Sequence, residues 1–251
     1  MKPRAAPRLG ILHDDPDLTA IDKPPGLTSI SERWDPEAPT AIDLLWRLWR
    51  GTAADALRPH VVHRLDKDTS GVLLFARHAA AQGALRRQFR ERTVEKHYFA
   101  LTVGIPSPPE GCSEISIEKD PGRPGRMRLA RRGGKACRTE YRTLAVHGGF
   151  AWVELHPLTG RTHQLRISLR ELGAPCVADL LYGDGEPLFL SQVKRDYRRT
   201  RGEAERPLLG RLGLHAASLA FAHPTSGERI RIESELPKDL RASLKQLERW
   251  G

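Results

Sequence analysis

Apolar positions along the chain fall into short runs of period two and a few longer stretches with helical spacing. Leu18 to Asp22 reads as a strand, and Lys23-Pro24-Pro25-Gly26 must turn after it, because successive prolines fix φ and remove backbone donors. Ser29 to Pro39 is a polar loop carrying Trp34. Thr40 to Arg50 places Ile42, Leu45, Trp46 and Trp49 on one helical face, with Thr40 as N-cap and the tryptophans as core anchors. Gly71 to Ala76 is a short, partly β-branched apolar run, which predicts a buried strand. A second helix over His78 to Arg92 turns Leu85 and Phe89 inward, and Thr93 to Val103 alternates as a strand. Arg138 to His147 and Phe150 to His156 form a hairpin around Gly148-Gly149, with Ala151, Val153 and Leu155 on its buried face. Thr159 to Leu172 opens with a Thr-Gly turn and continues as a helix packing Leu165, Leu169 and Leu172, which leaves Arg161, Arg166 and Arg170 on other faces. Leu214 to Ala216 with Phe221 to Pro224, and then Arg229 to Ile232, add strands before an amphipathic helix from Leu236 to Trp250.

The remaining stretches are basic. Ser113 to Gly134 reads as a mobile arginine-rich hairpin or loop, and Leu188 to Leu212 as a basic insertion. Residues 1–9 are expected to be a disordered basic lead, ahead of one domain over residues 10–251. No internal repeat is evident. Strands outnumber helices and are mixed among them without strict alternation, so the class is α+β with a largely antiparallel sheet.

Composition narrows the partners. A chain of 251 residues with 39% hydrophobic content can bury one sizeable core, with room for two lobes. Lys and Arg number 41 against 31 acids, a net charge of +10, and the excess is mostly arginine. Arginine forks onto phosphate and stacks on bases, so nucleic acid is the first partner to consider. Cys112, Cys137 and Cys176 are far apart and form no CxxC, which argues against a disulfide framework and a zinc knuckle. No apolar run approaches a membrane span, and a reducing, cytoplasmic setting is expected.

The chemistry concentrates in His63-Arg64-Leu65-Asp66-Lys67-Asp68-Thr69-Ser70-Gly71, directly ahead of the apolar run. Asp68 to Gly71 suit a turn, since Asp and Ser bond their own backbone and Gly tolerates positive φ. His63 to Asp66 then sit on a loop held by a rigid strand. Taken alone, that is a solvated Asx-type turn. Together with Thr69-Ser70-Gly71-Val72-Leu73, however, the block resembles the catalytic motif of the RluA-type RNA pseudouridine synthases. Two further blocks follow the order of that family, Ile21-Asp22-Lys23-Pro24-Pro25-Gly26-Leu27 before it and Leu158-Thr159-Gly160-Arg161-Thr162-His163-Gln164-Leu165-Arg166 after it. Lys96-His97-Tyr98-Phe99-Ala100 matches a Lys-x-Tyr-x-Ala element. Pro175 to Gly183 is similar to a Gly-Asp-x-x-Tyr-Gly element, with Ala178 where glycine is expected. The resemblance spans roughly residues 10 to 235.

The resemblance implies a mixed, mainly antiparallel sheet with flanking helices and a basic RNA cleft. It implies an isomerase that converts a uridine of structured RNA, in large-subunit ribosomal RNA or transfer RNA, to pseudouridine. Asp66 becomes the catalytic carboxylate, Arg166 the guanidinium that keeps it ionised, and Tyr98 an active-site ring against the flipped base. Arg64 becomes the residue that fills the vacated stack, with His63, Arg161 and Lys23 near the substrate. Many family members carry an N-terminal S4-type domain, and with so few residues before Asp22 none is expected here. The reaction is redox-neutral and needs no group donor, so no cofactor and no metal are expected, and no metal-ligand spacing is seen. The carboxylate can trap C1′, add to the uracil ring or support proton removal at C2′, and the residues do not choose among these routes. His156, His163 and His215 read as hydrogen-bonded histidines rather than ligands. Nothing calls for a dimer, so a monomer is expected. The rival readings are a non-catalytic RNA-binding protein on the same fold, and a glycosidase-like hydrolase, which would need a second facing acid.

Overall fold

A computed structural model describes residues 9–31, 38–52, 57–198 and 204–251. Trp34 and most of the expected basic lead lie outside the described residues. The chain divides into two compact units, one formed by Met1–Lys96 with Ala216–Glu235, the other by His97–His215 with Leu236–Gly251.

The first unit is organised around a strand buried from end to end, β4 (Ser70–Ala76). Its apolar run does not alternate with polar residues because neither face meets water. β2 (Leu18–Lys23) lies antiparallel beside it, with Asp22 opposite Val72 and Lys23 opposite Gly71. β1 (Gly10–Asp14) pairs with β2, and the two-residue β3 (His60–Val61) pairs with the end of β4. On its other side β4 borders β10 (Leu214–Ala222), which carries β11 (Arg229–Glu233). α2 (Ala79–Glu91) covers one face, placing Ala81 and Leu85 against Leu18, Ala20, Val72, Leu74 and Phe221. Burying a side chain such as Leu85 contributes about 1.5–3 kcal/mol. His78 caps this helix, its Nδ1 accepting from Ala81 N while its Nε2 donates to Asp17, and Arg92 ends it at φ 62. α1 (Ala41–Thr52) starts at Thr40, whose Oγ1 accepts from Asp43 N, and buries Ile42, Leu45 and Trp49 as its spacing predicts.

The second unit is an antiparallel sheet in the order β5 (Glu95–Val103), β9 (Phe150–Pro157), β8 (Lys135–His147), β6 (Glu110–Lys119) and β7 (Met127–Leu129). Gly148 (φ 54) and Gly149 (φ 84) make the β8–β9 turn, a doubly left-handed geometry suited to glycine. α3 (Gln164–Glu171) packs Leu165 and Leu169 on one face of the sheet, against Ala100, Val153 and Leu155. α4 (Lys238–Trp250) packs Leu240 and Leu247 into a separate cluster with Leu101 and Trp152.

The basic stretch after Ser113 is more ordered than its composition suggests. β6 is a ten-residue strand paired with both β7 and β8, because Ser113 and Ile117 alternate inward against Glu114 and Glu118. In the 188–212 segment Leu188, Val193, Leu209 and Leu212 are buried and anchor the backbone. The pattern of strands and helices is the α+β class expected from the sequence.

Candidate active site

The His63–Ser70 loop is fixed by the chain on both sides of it. His63 Nε2 accepts from Leu74 N at 3.1 Å, and its ring stacks on Phe89 with centroids 4.8 Å apart. Burial, and then the neighbouring Lys96 ammonium, lower the His63 pKa to about 3. Lys96 is itself held down to about 8 by burial and by Arg92. At neutral pH His63 is therefore an uncharged internal anchor of the loop.

Leu65 is bound through both backbone groups to one hydroxyl: its N–H donates to Ser29 Oγ at 3.0 Å, and that Oγ donates to Leu65 O at 2.9 Å. Lys67 O accepts from Gly26 N and from Lys23 Nζ, each at 2.9 Å. Lys23 is fully buried, and its ammonium also donates to Pro24 O and Leu27 O, at 3.0 and 2.8 Å. The Lys-Pro-Pro-Gly turn and the Asp66 loop are thus one stapled unit. Lys23 holds the shape of the loop through these three carbonyls. Between the staples, Asp66 is half-buried and Arg64 is exposed. Arg64 lines a small recess with Thr28, Ser29 and Ile30.

The turn itself is placed differently from expectation. Thr69 N donates to Asp66 O at 3.2 Å, so Asp66 opens the turn instead of preceding it, and Gly71 lies inside β4. Gly71 keeps the predicted positive φ, at 114, for another reason: an added Cβ would fall 2.1 Å from Ala216 O on β10. Glycine allows the strand crossing that fixes the end of the loop.

In the second unit Tyr98 is half-buried on β5 opposite Leu155 and packs beside Leu165 and Leu169. The Leu158–Arg166 block is a hydrogen-bonded corner. Thr159 Oγ1 donates to Gln164 Oε1 at 2.8 Å, Arg161 N donates to the same oxygen, and Gln164 Nε2 donates to Arg138 O and Thr139 Oγ1. The side chain of Arg161 is exposed above this corner.

Arg166, off the leucine face of α3, is buried, 5% exposed. Its Nε and Nη2 fork onto Asp179 Oδ2 and Oδ1 at 2.8 and 2.6 Å. Asp179 also accepts from Leu181 N and Tyr182 N. Burial alone would raise the Asp179 pKa, but the Arg166 fork and these backbone donors outweigh it, and the value lies below the ordinary one. Tyr182 OH, beside this pair, accepts from Met127 N and is hydrogen-bonded to His163 Nδ1 at 2.8 Å. Asp179 was not singled out from the sequence, although it is the acid of the Gly-Asp-x-x-Tyr-Gly-like element. Ala178 ahead of it keeps a left-handed φ of 54, so the glycine-like backbone survives the substitution.

The structure therefore gathers Lys23, His63, Arg64 and Asp66 in the first unit, and Tyr98, Arg161, Arg166 and Asp179 in the second. Residues 17–171 match the family model for RNA pseudouridylate synthase. An uncharacterized RNA pseudouridine synthase of Mycobacterium bovis is 36% identical over 246 residues, covering 96% of this chain and 73% of the relative. A ribosomal large subunit pseudouridine synthase D of Xanthomonas campestris is 36% identical over 247 residues, 97% of this chain and 71% of the relative. Among solved structures, human RNA pseudouridylate synthase domain containing 4 superposes with a TM-score of 0.73 at 30% identity, covering 95% of this chain and 93% of that one. The chain belongs to the RNA pseudouridylate synthase family. It is an RNA pseudouridine synthase, an isomerase acting on uridine in RNA.

Proposed function

We propose that Asp66 is the catalytic carboxylate with which this enzyme isomerises a uridine of structured RNA. The observation that carries this is the clamped loop, which puts an acid at the first position of a turn whose two flanks are both tied to the Lys23–Ser29 segment. A carboxylate on such a scaffold is pre-positioned and needs little ordering when RNA arrives. Arg64, exposed beside it, fills the stack left by the flipped uridine, and Tyr98 lies against the flipped base. Arg166 is the cation that keeps the catalytic carboxylate ionised, and Arg161 serves a phosphate. Large-subunit ribosomal RNA is the first substrate to test, since relatives are named for it, and transfer RNA is the second. Carbodiimide mapping of pseudouridine after incubation with ribosomal and transfer RNA tests the reading. Wild-type protein should modify a defined uridine and Asp66→Asn should leave it unmodified; product accumulating with Asp66→Asn would overturn the assignment.

A further inference from the structure

β5 and β9 pair so that Tyr98 faces Leu155, and hence His97 stands one position earlier, opposite His156. Side chains alternate along a strand, so the face carrying His97 is not the one on which Tyr98 packs. Glu154 lies two residues before His156 and shares its face. The three come together as half-buried polar groups: His97 Nδ1 is 3.7 Å from Glu154 Oε1, and His156 Nε2 is 3.6 Å from Glu154 Oε2. The two imidazole rings meet edge to face, with centroids 3.7 Å apart. One donor atom from each residue lies within 4.8 Å of the other two. Tetrahedral bonds of about 2.0–2.2 Å put neighbouring donors roughly 3.3–3.5 Å apart, so small side-chain rotations suffice to close the trio on an ion.

We propose that His97, Glu154 and His156 bind one divalent transition ion of the zinc type, with water completing the coordination. Two imidazoles and one carboxylate are the donor set of an open three-ligand zinc site. The side chains are 24%, 18% and 30% exposed, open enough for an ion to enter and sheltered enough to hold it. Arg142 Nη2, 3.2 Å from Glu154 Oε2, competes for that carboxylate, but its side chain is 61% exposed and can swing into solvent when an ion arrives. Bound there, the ion ties β5 to β9 one residue from Tyr98. The His156 expectation, a hydrogen-bonded histidine rather than a ligand, changes accordingly, because only cross-strand register brings these residues together.

Among the described residues Asp15, Asp17 and His223 form a second such group, and it differs in a decisive respect. His223 Nδ1 accepts from Ser226 N at 3.2 Å, so its proton sits on Nε2, the atom that faces Asp15 and Asp17. That nitrogen is a donor to the carboxylates and is closed to a metal.

The test uses chelator-treated full-length protein titrated with Zn²⁺ in a calorimeter and with Co²⁺ followed by visible absorption. One ion per chain is expected, with a Co²⁺ spectrum that lacks a thiolate charge-transfer band. Glu154→Gln and His156→Ala should each weaken binding by at least about tenfold. Both positions are partly exposed, and unchanged melting of the metal-free variants checks the fold. Cys112→Ser, which removes the exposed thiol, and His223→Gln should bind as wild type does. The proposal is overturned if wild type takes up no stoichiometric ion, if uptake survives Glu154→Gln and His156→Ala, or if it is lost in Cys112→Ser or His223→Gln.

Discussion

Arg166 and Asp179 show how one residue can be charged and still belong to the core. Both are buried, and each ion, together with the Leu181 and Tyr182 N–H groups, replaces water that the other has lost. Arg166→Ala strands the Asp179 carboxylate and should destabilise the protein by about 3–5 kcal/mol in urea unfolding. Arg166→Lys keeps the charge but loses the fork, and should recover only part of that loss. Asp179 has a lowered pKa in the folded state, so its contribution is present above the unfolded carboxylate value and is lost as pH falls through the folded one. His63 acts in a neighbouring window. Its pKa falls from 6.5 to about 3 on folding, so between these values the unfolded chain binds the extra proton and stability declines as the solution is acidified. His63→Gln keeps an acceptor for Leu74 N and removes the titration. The slope of unfolding free energy against pH between those values should fall by up to about one proton, and an unchanged slope would sink this reading.

At the scale of elements, the loop depends on how closely β4 passes β10. Gly71→Ala would push a methyl into the Ala216 carbonyl in a backbone region that alanine rarely adopts, so a cost of at least about 3 kcal/mol is expected. Because Gly71 anchors the turn that begins at Asp66, turnover in the folded fraction should fall as well, which a stability defect alone would not cause. The strand, the two helices after Thr40 and His78, and the Gly148-Gly149 hairpin were legible because each has an apolar period and its own cap or turn residues. The turn at Asp66 was read two residues late, since Asp68, Ser70 and Gly71 all carry turn chemistry and only the approach of Ala216 explains the glycine. Arg166 was placed off the leucine face by helical spacing, but its fork onto Asp179 was not legible, because that acid lies thirteen positions away. The hairpin-or-loop reading of Ser113 to Gly134 resolves as the β6–β7 hairpin, and what composition does not record is the further pairing of β6 with β8. The motif residues themselves were visible as types and order. The staples that hold them, Ser29 on Leu65 and Lys23 on Lys67, were not, since they join segments distant in the chain.

For the whole molecule, the excess of 41 basic over 31 acidic residues sets how the enzyme meets RNA. Part of the arginine is already committed within the fold: Arg166 to Asp179, Arg211 to Asp239, Arg128 to Glu118 and Arg229 to Glu95. Such pairs cancel charge locally and leave little to neutralise a phosphate. Arg131 and Arg132 differ, being exposed in the turn between β7 and β8, where the backbone is tied down by the strands on both sides. A pair presented this way can reach a phosphate without ordering a long segment, so it belongs to the part of the field that binds RNA. Each phosphate contact releases counterions and adds about 0.7–0.9 to the slope of log affinity against log salt. Arg131→Ala with Arg132→Ala should therefore flatten that slope by roughly 1–2, weaken binding most at low salt, and change folding stability by less than about 0.5 kcal/mol. Filter binding of target RNA across a salt series checks this, with thermal melting as the control. A slope equal to that of the wild type would remove this turn from the RNA interface and assign the excess charge to other basic surface.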